Sequence, residues 1–403
     1  LVGTTKMMWS LAWFWSAYPL DWAGLEPGLF HIALVFLYWI PASLTLGLGF
    51  GLLGYTYGNF IKFWKSEYIK ALCTGLVWVI AEVIGALVFS LYTLGPGSSI
   101  QAEFSFGQTG YAIAQHPLLL PLVLMGGVYV LSFVVGIIGF GLRKLSLQTL
   151  FIVGVVFFVS FFIPNPLSYE PSGDTKIAII ETNFSLVDLN TISSDERQQI
   201  KFDYIEVALA TQSDVVVLPE GAGFSSWFRD PQDAVSFISK NSEKDVVIID
   251  SDRTMVNGEN VLRAYAIDTK TNSQYYFDKQ SLVPQGEYIP YIYQILISFL
   301  NPSKKSKEIF ESMNYVPGLQ QSEVDHPDNI PPVLFCFESV TPFGVKNSIK
   351  NRSNPKFVAH VTSHAWFKRE PELLWHQLET MLRIQSVQNR LPIVQSTNEA
   401  RMK

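Results

Sequence analysis

The sequence predicts a multi-pass α-helical membrane domain followed by an α/β domain. Nearly all the long apolar runs of the 403-residue chain lie before Pro164, whereas most charged residues follow it. Beyond that point, short β-branched runs alternate with segments of helical periodicity, which is typical of layered α/β domains. We therefore expect a membrane domain at residues 1–164 and a water-soluble α/β domain at residues 165–403.

Four apolar runs are long enough, or nearly so, to cross a bilayer. A hydrocarbon core of ~30 Å requires a helix of about 20 apolar residues. The runs cover residues 28–57, 71–94, 118–142 and 148–164. A Trp-rich run at 7–20 is too short to span, and is either the remnant of a further helix or an interfacial segment. The first run exceeds one span, so Pro41 and the glycines after it either kink the helix or divide it.

Basic residues in the connections predict the orientation of these runs. Three lysines at positions 62–70 separate the first two runs, and Arg143 and Lys144 separate the last two, whereas the connection 95–117 contains no Lys or Arg. By the positive-inside rule, the basic connections are cytoplasmic and the connection 95–117 is extracytoplasmic. Counting forward along the chain, the fourth run ends on the outer face, which places the α/β domain outside the cytoplasm.

Glu82 lies in the middle of the second apolar run. A carboxylate inside the membrane indicates a functional site by default. A contact between helices is the alternative, because no partner for Glu82 can be identified from the sequence.

Two candidate catalytic residues lie near or just beyond the carboxyl ends of predicted buried strands. Strands are predicted at 176–180, 214–218, 245–250, 261–268, 332–337 and 356–362, and helices at 194–211, 231–240 and 371–390. In such sheets the active groups usually lie just beyond the carboxyl ends of strands. Glu220 and Cys336 occupy such positions. The alternatives are that Glu220 caps the following Gly-Ala-Gly loop and that Cys336 is a small core residue.

The stretch Tyr276-Phe-Asp-Lys-Gln-Ser-Leu-Val-Pro-Gln-Gly-Glu-Tyr-Ile-Pro290 adds a lysine and a further carboxylate. It places Lys279 eight residues before Glu287, with a turn at Pro284 and Gly286 between them. A thiol becomes a nucleophile when a base removes its proton and a cation stabilises the thiolate. Glu220, Lys279 and Cys336 form a sufficient set for acyl transfer through a thioester.

Several other side chains are predicted to support the site or to lie near the substrate. Glu287 and Glu338 are spare carboxylates that can orient Lys279 or tune its pKa. The apolar run 288–300, which begins with Tyr288, either dips into the lipid surface or packs as an ordinary core helix. His364 and Trp366 are candidates for substrate contact, with structural packing as the alternative for both.

Composition excludes other function classes. A net charge of −6 without a long Lys/Arg run argues against nucleic acid as a partner. The two cysteines, Cys73 and Cys336, give the α/β domain no disulfide framework. The histidines lack metal-ligand spacing, so we expect no metal and no cofactor. We expect the chain to act as a monomer.

These motifs resemble those of a known family. Leu218-Pro-Glu220, Lys279 and Cys336 are similar, in order and context, to the Glu-Lys-Cys triad of the nitrilase superfamily. The runs Lys279-x-x-Leu-Val-Pro-x-Gly-Glu-Tyr-Ile-Pro290, Cys336-Phe-Glu338 and Ala365-Trp-Phe367 resemble the membrane-bound apolipoprotein N-acyltransferases. The resemblance extends from about residue 20 to residue 398.

The resemblance implies an extracytoplasmic α-β-β-α sandwich on the bacterial inner membrane, at residues 165–403 and lacking its C-terminal part. It implies that Cys336 takes an acyl chain from a phospholipid and gives it to the N-terminal amine of a diacylglyceryl-cysteine lipoprotein. Glu220 would be the base, Lys279 the oxyanion partner, and Glu287 and Glu338 supporting carboxylates. The sequence departs from the family pattern around the substrate pocket: Phe337 replaces Tyr, Gln285 replaces Phe, and Ser363-His364 replaces Asn-Asp.

Two other functions remain open at this stage. The first is a membrane-tethered amidase, in which water rather than an amine receives the acyl group. The second is a non-catalytic relative, for example a conjugal-transfer accessory protein, that uses the sandwich as an interaction module.

Overall fold

The computed structural model describes residues 1–18, 29–143, 147–163, 175–183, 193–228, 231–300, 313–319, 326–365, 367 and 372–398. The membrane half consists of helices α1 (Val2–Ser10), α2 (Leu29–Gly47), α3 (Gly49–Asn59), α4 (Glu67–Tyr92), α5 (Gly110–Ile113), α6 (Val123–Arg143) and α7 (Leu147–Phe162). The soluble half contains α8 (Ser194–Ala210), α9 (Pro231–Asn241), α10 (Tyr291–Leu300), α11 (Gly344–Ser348) and α12 (Glu372–Asn389).

Within the part of the chain that the structure describes, three helical segments are long and apolar enough to cross a membrane: His31–Phe63, Glu67–Tyr92 and Leu120–Arg143. The fourth predicted span corresponds to α7, which has only 16 residues. The long first run is divided after Gly47 rather than at Pro41, since Pro41 lies inside α2 and α3 begins at Gly49. The prediction of N-terminal apolar helices is confirmed.

Glycines allow the membrane helices to pack closely. A Cβ atom on Gly49 would overlap the carbonyl oxygen of Ala81 in α4, and one on Gly85 would overlap that of Leu46 in α2. Small residues at such crossings let helix backbones approach in the absence of a strong hydrophobic driving force. The two glycines therefore fix the contact of the first run with α4.

The described residues of the soluble half form two β-sheets. The first has the order β1 (Ile177–Ile179), β2 (Val215–Val217), β3 (Val247–Val256), β4 (Glu259–Asp268) and β5 (Ser273–Asp278). Its β1, β2 and β3 are parallel, and β4 and β5 each pair antiparallel with the preceding strand. The second sheet is parallel, with β6 (Val333–Phe335), β7 (Val358–Ser363) and β8 (Ile393–Asn398).

The two sheets face each other, with helices on both outer surfaces. Val217 and Ile249 of the first sheet form one buried cluster with Phe335 and Val361 of the second. Alternate residues point away from this interface, as the period of two in a strand requires. Outside the first sheet they pack on α8 and α9, and outside the second on α11 and α12. The predicted α-β-β-α sandwich is confirmed.

Two strands were missed by the sequence-based prediction, β5 and β8. The strand predicted at 245–250 is longer in the structure. β3 continues to Val256, and the chain then turns back to form β4. Asn257 and Gly258 both have positive φ in this turn, at 53° and 85°, which matches the Asn-Gly preference of two-residue hairpins. The predicted domain boundary at residue 164 falls outside the described residues and stays a prediction.

Helix α12 joins the sandwich to the membrane half. Its Ile384 and Val387 belong to one buried cluster with Val128 and Leu131 of α6. Its Gln377 side chain donates a hydrogen bond of 3.0 Å to the carbonyl of Ser10 at the end of α1. The sandwich is therefore packed directly against the helices.

Helix α10 has one packed face and one exposed apolar face. Tyr293 is buried, and its hydroxyl donates to the carbonyl oxygen of Leu37 at 2.9 Å. Tyr291, Ile292 and Ile295 are exposed. The run 288–300 thus packs on the membrane half through one face, and the insertion of its exposed apolar face into the lipid surface stays a prediction.

Candidate active site

The three predicted catalytic residues meet at one end of the sandwich. Glu220 follows β2, Lys279 follows β5 and Cys336 follows β6, each at the carboxyl end of its strand. β5 runs in the same direction as β2 because two antiparallel pairings separate β5 from β3. The amide of Glu220 donates to the carbonyl of Thr362 at 3.3 Å, which links the loop of one sheet to a strand of the other.

The ammonium group of Lys279 lies between two carboxylates. Its Nζ donates to Glu287 Oε1 at 2.6 Å and to Glu220 Oε1 at 3.1 Å. Lys279 is only 1% exposed. Burial disfavours the charged form, but Glu220 and Glu287 outweigh it and raise the pKa of Lys279. Lys279 therefore stays positively charged and can stabilise a negative charge beside it.

Glu287 is held by the turn that the sequence predicts. Its Oε2 accepts a hydrogen bond of 2.8 Å from the amide of Val283, and its own amide donates to the Val283 carbonyl at 2.9 Å. Burial raises the pKa of Glu287, and the Lys279 ammonium acts in the opposite direction. The geometry suits an orienting partner for Lys279, a role that stays a prediction.

Glu338 joins the cysteine turn to the lysine loop. Its Oε1 accepts from the amide of Gln280 at 2.7 Å, and its Oε2 accepts from the amide of Phe335 at 3.0 Å. Burial raises the pKa of the Glu338 carboxyl, while these amides lower it. One side chain thus fixes the residues next to Lys279 and Cys336.

Cys336 begins a short 3₁₀ turn, Cys336–Val340. Burial, followed by the negative charge of Glu220, raises the pKa of the Cys336 thiol to about 11, although Lys279 and the Thr362 hydroxyl lower it. The sulfur is therefore a thiol at neutral pH, and a base must take its proton before it attacks. Among the described residues, nothing hydrogen-bonds Oε2 of Glu220, which leaves that oxygen available for the proton.

A loop of the membrane half contacts the cysteine turn. The hydroxyl of Ser105 donates to the carbonyl oxygen of Val340. The rings of Phe104 and Phe337 lie 6.2 Å apart, measured between centroids. The connection 95–117 therefore forms part of the surroundings of Cys336.

The predicted substrate-contact residues have different environments. Phe337 packs against the membrane half, and the buried Tyr288 donates its hydroxyl to the carbonyl of Thr93 at 2.9 Å. The ring of His364 stacks on that of Trp375 with centroids 3.7 Å apart, and burial lowers the pKa of His364 to about 3. Trp366 lies outside the described residues. Substrate contact stays a prediction for all four.

Thr362 and Ser105 contribute to the site and were missed by the sequence-based prediction. Thr362 carries the same signal as Glu220, a polar residue at the end of a buried strand. No local pattern marks Ser105, which is 235 positions from Val340. Among the described residues, no group of three or more His, Cys, Asp or Glu side chains has a geometry suited to a metal ion.

Comparison with known proteins gives one homologue of defined activity. No protein-family model matches the chain. Apolipoprotein N-acyltransferase of Rickettsia prowazekii (strain Madrid E) is 20% identical over 401 residues, which covers 95% of this chain and 72% of that enzyme. The chain is a distant homologue of this enzyme. The resemblance found in the sequence is therefore confirmed as a distant homology.

Two solved structures are similar to part of the chain. A CN-hydrolase superfamily protein of Xanthomonas campestris, with an arsenic adduct in its active site, is 14% identical and has a TM-score of 0.37. The match covers 56% of this chain and 77% of that one. The C. elegans NitFhit protein is 14% identical, with a TM-score of 0.36 and coverage of 56% and 51%.

Proposed function

We propose that this chain is an N-acyltransferase acting on lipoproteins. It would transfer a fatty acyl chain from a membrane phospholipid, through a thioester on Cys336, to the N-terminal amine of a diacylglyceryl-cysteine lipoprotein. The observation that carries the proposal is the Lys279 ammonium, held between Glu220 and Glu287 beside the Cys336 thiol. The homology over 95% of the chain supports the substrate class.

In the first half-reaction, Glu220 takes the proton of the Cys336 thiol. The thiolate attacks the ester carbonyl of the phospholipid, and the Lys279 ammonium stabilises the resulting oxyanion. When the intermediate collapses, the carbon–oxygen bond breaks and the lysophospholipid oxygen takes the proton back from Glu220. The products are an acyl thioester on Cys336 and a free lysophospholipid.

In the second half-reaction, the lipoprotein amine attacks the thioester carbonyl. Glu220 removes a proton from the attacking nitrogen, and Lys279 again stabilises the oxyanion. The carbon–sulfur bond then breaks, the sulfur regains a proton from Glu220, and the product is an amide. Glu338 and Glu287 fix the turn that begins at Cys336 and the loop that follows Lys279. The catalytic side chains therefore need not rearrange between the two half-reactions.

The test is the intact mass of the purified protein after incubation with defined phospholipids. Wild-type protein should gain the mass of one acyl chain, and hydroxylamine should remove it. Cys336→Ser should gain no hydroxylamine-sensitive mass, whereas the matched control Cys73→Ser should behave as wild type. No adduct with any phospholipid would contradict the proposal. Release of free fatty acid without transfer to an amine would instead favour the amidase.

We also propose that the sandwich lies on the periplasmic side of the inner membrane. The connection 95–117, which lacks basic residues, contacts the cysteine turn through Ser105. The sandwich therefore lies at the same end of the helices as this connection. Whatever the number of spans, the positive-inside rule assigns that end to the outside.

Two exposed positions test this orientation. Asn272 lies in the turn before β5 and Lys65 lies between α3 and α4, and both are exposed. In a Cys336→Ser background, a membrane-impermeant maleimide should label Asn272→Cys in intact spheroplasts and should label Lys65→Cys only after lysis. The opposite labelling would place the sandwich in the cytoplasm.

A further inference from the structure

Strand β7 presents a buried hydroxyl next to the catalytic thiol. Ala359 and Val361 point into the core between the two sheets, so His360 and Thr362 point to the other side. Thr362 is 1% exposed. Among the described residues, its hydroxyl oxygen has no hydrogen-bond partner of good geometry. Buried hydroxyls are nearly always paired, so an unpaired one calls for an explanation.

The register of the second sheet places this hydroxyl beside Cys336. Phe335, the last residue of β6, pairs with Val361 of β7, so Cys336, which begins the turn after β6, follows Phe335 on the side where Thr362 follows Val361. The backbone of Phe335 is extended, with φ −87° and ψ 154°. The Cys336 side chain therefore leaves on the opposite side from Phe335, which is also the side of Thr362. The hydroxyl is close enough to lower the pKa of the thiol.

The main chain of Thr362 also holds the proposed base. Its carbonyl oxygen accepts the hydrogen bond from the amide of Glu220. The hydroxyl therefore belongs to the residue that also holds the main chain of Glu220, and the carboxylate of Glu220 would receive the thiol proton. The other charged or titratable groups around the sulfur are Lys279, Glu287, Glu338 and His360.

A thiol and a thiolate differ in strength as hydrogen-bond acceptors for this hydroxyl. A neutral thiol is a weak acceptor, so the hydroxyl gains little from it in the resting protein. A thiolate is an anion, and hydrogen bonds to charged acceptors are roughly twice as strong as neutral ones. The hydroxyl therefore faces only a weak acceptor before proton transfer and a strong one afterwards.

We propose that Thr362 is a further catalytic residue, whose hydroxyl donates a hydrogen bond to the Cys336 thiolate formed when Glu220 takes the thiol proton. The thiol proton moves to the Glu220 carboxylate, and the Thr362 proton stays on its own oxygen. The bond supplements the Lys279 ammonium until the sulfur bonds to the acyl carbon. The inference rests on the proposed role of Cys336 as nucleophile.

The second sheet offers a matched control for this hydroxyl. Thr397 of β8 pairs in register with Thr362, is 4% exposed, and also has a hydroxyl without a partner among the described residues. It lies one strand farther from Cys336. Thr362→Val and Thr397→Val remove the same group from the same face of the sheet, and Thr362→Ser restores the hydroxyl.

The experiment uses full-length protein in detergent with Cys73→Ala, so that Cys336 is the only thiol. Iodoacetamide alkylation is followed by intact mass from neutral to strongly alkaline pH, together with thermal unfolding and the rate of acyl-thioester formation. Thr362→Val should shift the alkylation profile to higher pH and slow thioester formation roughly 10-fold or more. Thr362→Ser should be close to wild type, as should Thr397→Val. The unfolding temperature should change little, because a neutral thiol is a weak acceptor for the hydroxyl in the resting protein.

The outcomes separate this inference from the proposed function. An unchanged alkylation profile in Thr362→Val, or an equal shift in Thr397→Val, would overturn the inference. A loss of unfolding temperature without any change in thiol reactivity would assign Thr362 a structural role only. If wild-type protein forms no acyl adduct but Thr362→Val still shifts the alkylation profile, the inference stands and the phospholipid donor is wrong.

Discussion

Two Lys–Glu pairs among the described residues have the same separation and different surroundings. Lys6 and Glu82 in the membrane half are 3.1 Å apart, as are Lys279 and Glu220 in the sandwich. Glu82 Oε1 also accepts from the amide and hydroxyl of Thr109, at 2.7 and 2.8 Å. This pair joins α1, α4 and the connection 95–117, which identifies the helix-to-helix contact that the sequence left open for Glu82.

The difference between the two pairs lies in the number of carboxylates. In the membrane half one carboxylate faces one ammonium, and the charges balance. In the sandwich two carboxylates share the single ammonium of Lys279, and a thiol lies beside them. The surplus carboxylate can accept a proton without leaving the lysine unpaired. Under the proposed function, the local charge balance therefore distinguishes the two pairs, whereas the distance between lysine and carboxylate does not.

The largest contrast should come from removing each lysine. Lys279→Met leaves Glu220 and Glu287 without their cation, so acyl-thioester formation should vanish and unfolding free energy should fall by about 3–5 kcal/mol. Lys6→Met leaves Glu82 its two Thr109 donors, so the loss should be only about 1–3 kcal/mol, with thioester formation retained. Denaturation in detergent and the intact-mass assay measure both effects. Equal losses of unfolding free energy and of thioester formation in the two variants would contradict the proposed difference between the two pairs.

The carboxylates should separate activity from stability. Glu220→Gln removes the proposed base but leaves Lys279 paired with Glu287, so thioester formation should slow about 10²–10⁴-fold with a nearly unchanged unfolding temperature. Glu82→Gln should lower the unfolding temperature and leave the rate per folded molecule close to wild type. The pattern would be wrong if Glu82→Gln slowed the reaction as much as Glu220→Gln did.

Thiol alkylation should respond to the loss of Glu220 in the opposite direction from acyl transfer, and its pH dependence tests this. Glu220 is one cause of the raised pKa of Cys336, about 11, because its negative charge disfavours a neighbouring thiolate. Wild-type alkylation should therefore be slow at neutral pH and rise toward that value. Glu220→Gln should lower the thiol pKa and speed alkylation at neutral pH, although acyl transfer is slowed. Slower alkylation in this variant would contradict the charge argument.

The smallest predicted effect concerns the turn that carries Glu287. Gln285 has a φ of 62°, in the left-handed region that costs a non-glycine residue about 1–2 kcal/mol. Gln285→Gly should therefore raise the free energy of unfolding by up to about 1 kcal/mol. Asn257→Gly, at a φ of 53°, is the control and should gain less, since asparagine tolerates this conformation. Equal gains would show that the Gln285 backbone carries no particular strain.

The sequence predicts the parts of this molecule that depend on local patterns. Buried strands followed by polar residues indicate Glu220 and Cys336, and the Pro284 and Gly286 turn indicates the return of Glu287 to Lys279. Asn257 and Gly258 form a readable hairpin signal that was overlooked. Contacts between distant segments have no such signal. The bonds from Glu338 to the Gln280 amide and from Ser105 to Val340 depend on how two sheets and a membrane loop meet, which only the folded chain reveals.

The contacts between the end of α4 and the sandwich have a geometric consequence. The carbonyls of Thr93 and Leu94 accept hydrogen bonds from the Tyr288 hydroxyl and the Tyr291 amide, and Ser105 bonds the cysteine turn. The first two contacts adjoin the end of a helix that is long enough to span a bilayer. With that helix in a bilayer, the sulfur of Cys336 would be held at a fixed height above the hydrocarbon core. Under the proposed function, a lipid would have to bring its ester group to that height, so the protein would select the bond it cleaves by depth.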